Sequence, residues 1–311
     1  MLMELMMFAR RAAIAAIAVA LAASCGGGIQ QIEPFVPQQV IVLGDETNLL
    51  TPDGKRYGIN GLDANGVFDC RFLPIWTQSV AGAWGYVFDQ CNPGAITPTR
   101  GVMRATFNAK AADLDAQIDA QLATAAPTSK DLFTVLVGMH DIIELYEQFP
   151  TRSEADLAAD LRARGNHVAQ QINRLVDLGA RVIVSTVPDL GLTPYALTQE
   201  AANPGRAALL TRLTGDFNAR VRVDILQDGR FVGLLITDDL ILQMVKSPSS
   251  YGLANVTGAA CTTAVPDCTT LTLVAGATSA THLWADDRRL GPVAHSQLYQ
   301  LAVTRAQRNP F

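Results

Sequence analysis

The segment that decides the fold is residues 39–48, which read QVIVLGDETN. Four apolar residues, 40–43, are followed by a Gly-Asp turn, and this pattern predicts a buried strand that leads into a loop. In a parallel sheet, loops at this end of the strands carry the side chains that contact ligands. Glu46 lies in the predicted loop, so its chemistry has to be explained together with the fold.

Apolar segments alternate with amphipathic segments along the rest of the chain. The predicted strands cover residues 40–43, 131–138, 181–188 and 231–236, and the predicted helices cover residues 111–122, 154–178, 207–224 and 292–305. Residues 48–104 are rich in Gly, Asn and Pro, and we predict mostly loops there. Strands that alternate with helices predict an α/β fold with a mostly parallel central sheet covered on both faces.

The first 24 residues have the pattern of a targeting signal. Arg10 and Arg11 precede an uncharged apolar stretch, residues 12–23, which is too short to span a bilayer comfortably. The stretch ends in Ala-Ala-Ser before Cys25, which resembles the cleavage box of bacterial lipoproteins. The resemblance implies that Cys25 becomes the lipidated mature N-terminus. The membrane would then be a partner of the protein, bound through the lipid on Cys25. The alternative is an ordinary secretory signal in which Cys25 plays no part.

The resulting organisation has three parts: a signal peptide at 1–24, a flexible tether at 25–38 and one folded domain at 39–311. Gly26 directly after Cys25 resembles the sorting signal for the outer membrane, so we expect an exported, lipid-anchored protein there. The net charge is −5 and basic residues are not clustered, which argues against nucleic acid as a partner. Nothing in the sequence indicates a cofactor.

Four cysteines remain after Cys25, and an even number in an exported protein predicts disulfides. Three pairings are open. Proximity along the chain favours Cys70 with Cys91 and Cys261 with Cys268. Zinc is disfavoured, because no His or Cys pair has finger-like spacing.

Three short motifs carry a resemblance to a known family. Residues 44–47 read GDET, residues 138–141 read GMHD, and residues 286–289 read DDRR. In order, they resemble the Gly-Asp-Ser, Gly-x-Asn-Asp and Asp-x-x-His motifs of the GDSL or SGNH-type ester hydrolases. The resemblance covers nearly all of the mature chain and implies a flavodoxin-like three-layer α/β/α fold. A further family motif, which supplies an oxyanion-hole glycine, has weak candidates at 57–61 and 65–68.

The resemblance also implies that the catalytic residues are replaced. Glu46 occupies the position of the nucleophilic serine, His140 that of the oxyanion-hole asparagine, and Arg289 that of the catalytic histidine. Asp286 matches the carboxylate of the triad. Glutamate is not an acyl-transfer nucleophile of the serine type, and arginine stays protonated and cannot act as a base. We expect Glu46 and Arg289 to form an ion pair in the former active site.

Two interpretations of function follow from these replacements. The first, which we prefer, is a non-hydrolytic envelope lipoprotein, a pseudoenzyme that binds an acyl or glycan ligand. The second is a working ester hydrolase of the esterase or lipase type, with Glu46 as base, His140 as acid or oxyanion donor and Asp286 as the orienting group. Glycoside cleavage by Glu46 and Asp286, or a metal held by Glu46, His140 and Asp286, are less favoured alternatives.

Overall fold

The structure is a computed structural model, and it describes residues 34–308. Cys25, the predicted signal peptide and most of the predicted tether lie outside the described residues. Eight strands are present in this part of the chain: β1 Gln39–Gly44, β2 Val87–Phe88, β3 Arg100–Met103, β4 Asp131–Leu136, β5 Arg181–Ser185, β6 Val232–Leu235, β7 Asn255–Ala259 and β8 His282–Trp284. The first six form one sheet in the order β2-β3-β1-β4-β5-β6, and every neighbouring pair is parallel.

Helices cover both faces of this sheet. They are α1 Trp76–Gly82, α2 Asp113–Leu122, α3 Met139–Tyr146, α4 Glu154–Asp177, α5 Pro194–Ala202, α6 Arg206–Asp224, α7 Thr237–Lys246 and α8 Pro292–Arg308. Side chains alternate along β1, so Ile41 and Leu43 pack with α2, α3, α4 and α6. Val40 and Val42 point the other way and pack with α1 and α8. The predicted three-layer α/β/α arrangement with a parallel sheet is confirmed.

The strand order creates a crevice beside β1. The chain passes from β1 to β3 on one side of it and later returns to β4 on its other side. At such a reversal the loops after the two central strands separate, and ligands of doubly wound sheets bind there. The loop after β1 contains Glu46, and the turn after β4 leads directly to His140 at the start of α3.

The region predicted as mostly loop, residues 48–104, contains α1, β2 and β3. The prediction missed these elements because β2 has only two residues and β3 has four, one of them Gly101. Neither strand has a long apolar run. The edge of β1 offers a ladder of backbone groups with which β3 pairs, and β2 pairs in turn with β3, so both strands depend on tertiary contacts.

Both disulfides that proximity favours are present, Cys70–Cys91 and Cys261–Cys268. The end of the predicted tether differs from the expectation. Phe35 is only 3% exposed and packs on the α1/α8 side of the sheet, because residues 34–38 lead into β1 with alternately exposed and buried side chains. Among residues 34–308, no helix has the length and apolar character needed to cross a membrane.

Candidate functional site

Two glycines shape the loops that carry the predicted site residues. Gly44 ends β1 with φ of +115°, and a Cβ there would lie 2.0 Å from the carbonyl oxygen of Leu136. Gly138 precedes α3 with φ of +132°, and a Cβ there would lie 2.5 Å from the ring of Phe217. Both positions require glycine, because other residues rarely adopt this backbone conformation and a side chain would clash. The two turns bring Glu46 and His140 together.

The carboxylate of Glu46 is the centre of the site. Its side chain is fully buried, and both of its oxygens accept hydrogen bonds. The Nε2 atom of His140 lies 2.9 Å from Oε1 and 2.8 Å from Oε2. The backbone N–H of Asn108 donates to Oε2 at 3.0 Å, and Arg289 donates to Oε1 from Nε at 3.0 Å and from Nη2 at 2.5 Å. The predicted ion pair between Glu46 and Arg289 is therefore present.

Asp286 holds Arg289 in place. Its Oδ1 accepts the backbone N–H of Arg289 at 2.7 Å, and its Oδ2 accepts Nη1 of the same residue at 2.7 Å. The residue three positions after the aspartate is thus oriented by it, as the Asp-x-x-His resemblance implies. Within residues 34–308, the Asp286 carboxylate bonds to Arg288 and Arg289 and makes no hydrogen bond with His140. The structure does not place Asp286 as the orienting partner of His140.

The partners of Glu46 keep it charged. Burial raises the pKa of its carboxyl, but the hydrogen bond and charge of His140, with the charge of Arg289, outweigh burial and lower the pKa to about 2. Burial likewise lowers the pKa of Arg289, and the carboxylates of Asp286 and Glu46 reverse this and raise it above the ordinary value. A carboxylate with a pKa near 2 is a weak base, far from the value near 7 that suits a general base at neutral pH.

Asp45 is a buried acid that the sequence analysis did not single out. Its side chain is fully buried and its Oδ1 accepts the backbone N–H of Thr47 at 2.9 Å. Its Oδ2 has no hydrogen-bond partner among residues 34–308. Burial, followed by the charge of Glu46, raises the pKa of Asp45 to about 7. The Gly-Asp turn was visible in the sequence, but nothing there shows that one carboxylate oxygen is left unpaired.

Asn108 is the second residue that was missed. The sequence candidates for a backbone N–H donor were the glycines of 57–61 and 65–68, whereas the N–H directed at Glu46 belongs to Asn108, in the loop after β3. Asn108 has φ of +60°, a conformation in which asparagine is enriched. Gly66 lies at an exposed turn, where an added Cβ would meet nothing within 4 Å. An asparagine in an irregular loop carries no motif that could have marked it.

Two aromatic rings lie beside the ion cluster. Tyr57, from one of the weak candidate segments, stacks on Phe107 with ring centroids 4.7 Å apart and planes at 19°. The guanidinium carbon of Arg289 lies 5.8 Å from the centre of the Tyr57 ring and 6.0 Å from that of Phe107. A groove of about 540 Å³ includes His140 and Asn108, the residue that follows Phe107, in its lining.

The other histidines near the C-terminal motif serve the core. His295 is buried on α8, and its Nδ1 accepts the backbone N–H of Trp76 at 3.4 Å. Burial lowers the pKa of His295 to about 3 and lowers that of His282 as well. For the metal alternative, no group of three or more His, Cys, Asp or Glu residues within residues 34–308 is arranged to hold an ion.

Comparisons with known proteins give similarities in structure only. An acetylxylan esterase from Geobacillus stearothermophilus is 12% identical, with a TM-score of 0.44, and the match covers 88% of this chain and 96% of that one. A G-D-S-L family lipolytic protein from Veillonella parvula is 9% identical, with a TM-score of 0.43 over 85% of this chain and 96% of that one. No family model and no curated protein matches the sequence. The function of this chain therefore has to be inferred from its own side chains.

Proposed function

We propose that this protein is a non-hydrolytic, ligand-binding relative of the ester hydrolases that its motifs resemble. The observation that carries the proposal is the state of Glu46. Its carboxylate stands where the motif resemblance implies the nucleophile, is fully buried, and is held by Arg289, His140 and the N–H of Asn108. Four N–H groups, two from Arg289 and one each from His140 and Asn108, meet the roughly four acceptor sites of this carboxylate, and it has no tendency to take up a proton at neutral pH.

The alternative, an ester hydrolase with a rearranged site, receives less support from the same contacts. It requires Glu46 as a base, yet the pKa of Glu46 is about 2. It also requires Asp286 to orient His140, yet the Asp286 carboxylate binds Arg289. The geometry is that of a satisfied ion cluster, in which each charged group already has its partners before any ligand arrives.

The test is turnover of short-chain nitrophenyl esters and of acetylated xylo-oligosaccharides by the purified folded domain. We expect the wild type and the Glu46→Gln variant to show the same rate, indistinguishable from the rate of spontaneous hydrolysis. The matched control is Glu154→Gln, which alters a carboxylate that pairs with Arg212 at the start of α4, outside both the Glu46 cluster and the groove. Turnover by the wild type that disappears in Glu46→Gln but persists in Glu154→Gln would establish the esterase alternative instead.

We also propose that the protein is anchored to a bacterial outer membrane through lipidated Cys25. The sequence of the signal supports this, and the two disulfides fit a protein that is exported from the reducing cytoplasm. Expression of the full chain and of its Cys25→Ala variant, followed by detergent-phase partitioning and metabolic labelling with palmitate, tests the proposal. We expect only the wild type to incorporate the palmitate label and to partition into the detergent phase. Equal partitioning of both forms without label would indicate an ordinary secretory signal.

A further inference from the structure

The aromatic pair beside the ion cluster is exposed in a way that core packing does not explain. The side chain of Phe107 is 47% exposed although it stacks on Tyr57. Phe107 lies directly before Asn108, whose N–H is fixed on Glu46 at 3.0 Å. The ring is therefore attached to a loop that the buried carboxylate holds in position. An exposed, positioned aromatic ring at a concave site is a common feature of small-molecule binding sites.

The groove whose lining begins at Asn108, one residue after Phe107, is polar. Six of its lining side chains can form hydrogen bonds: Asn108, Lys110, Asp113, His140, Glu144 and Glu147. Several of them are already fixed by mutual contacts. Lys110 pairs with Glu144 at 3.0 Å, and Glu144 also pairs with Arg164 at 2.6 Å. Side chains that are held before a ligand arrives lose less conformational entropy when it binds.

The groove is polar, and this favours one of the two ligand classes considered above, acyl groups and glycans. A fatty acyl chain requires apolar walls, and in this groove it would strip water from charged groups without replacing their hydrogen bonds. The apolar side chains of the lining are Ala112 and Ile143. The hydroxyl groups of a sugar, in contrast, can both donate to carboxylates and accept from Lys110 or Asn108.

The charge of the groove limits the class of saccharide that it can bind. One lysine faces three carboxylates, those of Asp113, Glu144 and Glu147. An acidic polysaccharide would bring its own carboxylates into this field, and like charges at short range oppose binding. A ring with polarised C–H groups can stack on the negative face of Phe107 while its hydroxyls bind along the groove.

We propose that the site binds an uncharged oligosaccharide, with one sugar ring on Phe107 and the adjacent sugars along the groove between the loop after β3 and helix α3. This inference rests on the proposed function, because it takes the ion cluster of Glu46 as a scaffold for the loop and not as a reacting group.

Calorimetric titration of the wild type with xylohexaose, cellohexaose and chitohexaose tests the proposal, with oligogalacturonate and dodecanoate as the acidic and acyl probes. Phe107→Ala is compared with Phe72→Ala. Phe72 is equally exposed, at 48%, but is not part of the stacked pair or of the groove lining. We expect at least one neutral hexasaccharide to bind, and Phe107→Ala to weaken it at least about fivefold. Phe72→Ala should leave the affinity unchanged.

Three results would overturn the saccharide proposal: no binding of any neutral hexasaccharide by the folded wild type, equal affinity of wild type and Phe107→Ala, or preferential binding of dodecanoate or oligogalacturonate. Thermal unfolding of each variant shows that it is folded. None of these three results bears on the proposed function. The proposed function fails only if the protein hydrolyses the acetylated saccharide in a reaction that depends on Glu46. Absent binding with absent turnover removes only the saccharide proposal, whereas Glu46-dependent turnover removes the pseudoenzyme.

Discussion

Asp45 and Glu46 are neighbours in the loop after β1, and both side chains are almost completely buried, yet their carboxyl groups have opposite properties. Glu46 binds Arg289, His140 and the N–H of Asn108, and its pKa falls to about 2. Asp45 has one oxygen with no partner among residues 34–308, and its pKa rises to about 7. Because both side chains are buried, their hydrogen-bond and ionic partners decide which of the two acids stays charged. The Glu46 cluster therefore stabilises the loop, whereas Asp45 is a buried acid that the fold tolerates.

The largest effect is expected when the cluster is converted back to the residues of the family motif. Glu46→Ser together with Arg289→His introduces a nucleophile and a base, and Asp286 is already placed to orient residue 289. The N–H of Asn108, now on Glu46, becomes free to stabilise an oxyanion. We expect ester turnover at least about 100-fold above the wild type, measured with a nitrophenyl acetate assay.

Two variants of residues in the same site serve as controls for this experiment. Glu46→Ser alone lacks a base at position 289, and Asp286→Asn in the double variant loses the orienting carboxylate, so both should fall back toward the wild-type rate. If the double variant is correctly folded but inactive, positions 46 and 289 are not the equivalents of the family nucleophile and base.

The next effect concerns stability, and it tests the Glu46 side of the comparison. Glu46→Ala removes the buried partner of Arg289 and His140, so we expect a loss of about 3–5 kcal/mol in the free energy of unfolding. Chemical denaturation at neutral pH measures it. Glu144→Ala removes a carboxylate that is 39% exposed and serves as the control, with a small expected change. A small loss in both variants would show that the cluster contributes little to stability.

Asp45→Asn is expected to change stability in the opposite direction. The amide keeps an oxygen for the N–H of Thr47 and removes the charge from the oxygen that lacks a partner. Because the pKa of Asp45 is about 7, its buried carboxyl is mostly ionised at pH 8, whereas the amide cannot ionise, so the variant should be more stable than the wild type at pH 8. A destabilised Asp45→Asn protein at pH 8 would mean that the charged form of Asp45 has a partner in solution.

The last effect to test is the pH dependence of stability. Because the pKa of Glu46 falls from 4.5 to about 2 on folding, its contribution is complete above about pH 4.5 and is lost as pH falls toward 2. The pKa of Asp45 rises from 3.8 to about 7, so stability from this group is complete below about pH 3.8 and is lost as pH rises through 7. Between pH 2 and 8, the melting temperature should fall less steeply in acid for Glu46→Gln, and less steeply toward pH 8 for Asp45→Asn, than it does for the wild type. Unchanged profiles in both variants would contradict the assignment.

The sequence was sufficient for the central strands and the long helices. Residues 40–43 are a continuous apolar run, residues 132–137 are apolar except for Thr134, and α4 has a regular apolar stripe. It was insufficient for β3, which forms by pairing with β1, and for β2, which pairs with β3. In the site, the motif resemblance selected Glu46 and Arg289, which lie 243 positions apart and are in contact.

The rest of the site depends on tertiary contacts that leave no local pattern. The N–H of Asn108 reaches Glu46 only because the loop after β3 bends through a positive φ at this residue. The unpaired oxygen of Asp45 is likewise a property of its surroundings and not of the Gly-Asp turn. A sequence can indicate which residue types meet in a cleft, but the donors that each carboxylate finds there depend on the folded backbone.

We propose that Glu46 is a permanently charged member of an ion cluster and not a base. The most direct measurement is an NMR titration of the side-chain carboxyl carbons in the ¹³C-labelled protein, with Glu46→Gln and Asp45→Asn used for assignment. We predict that the Glu46 signal stays at its ionised position down to about pH 3, while the Asp45 signal titrates near pH 7. A Glu46 signal that titrates between about pH 6 and 8 would contradict the account, because a carboxyl of that kind is suited to general-base catalysis.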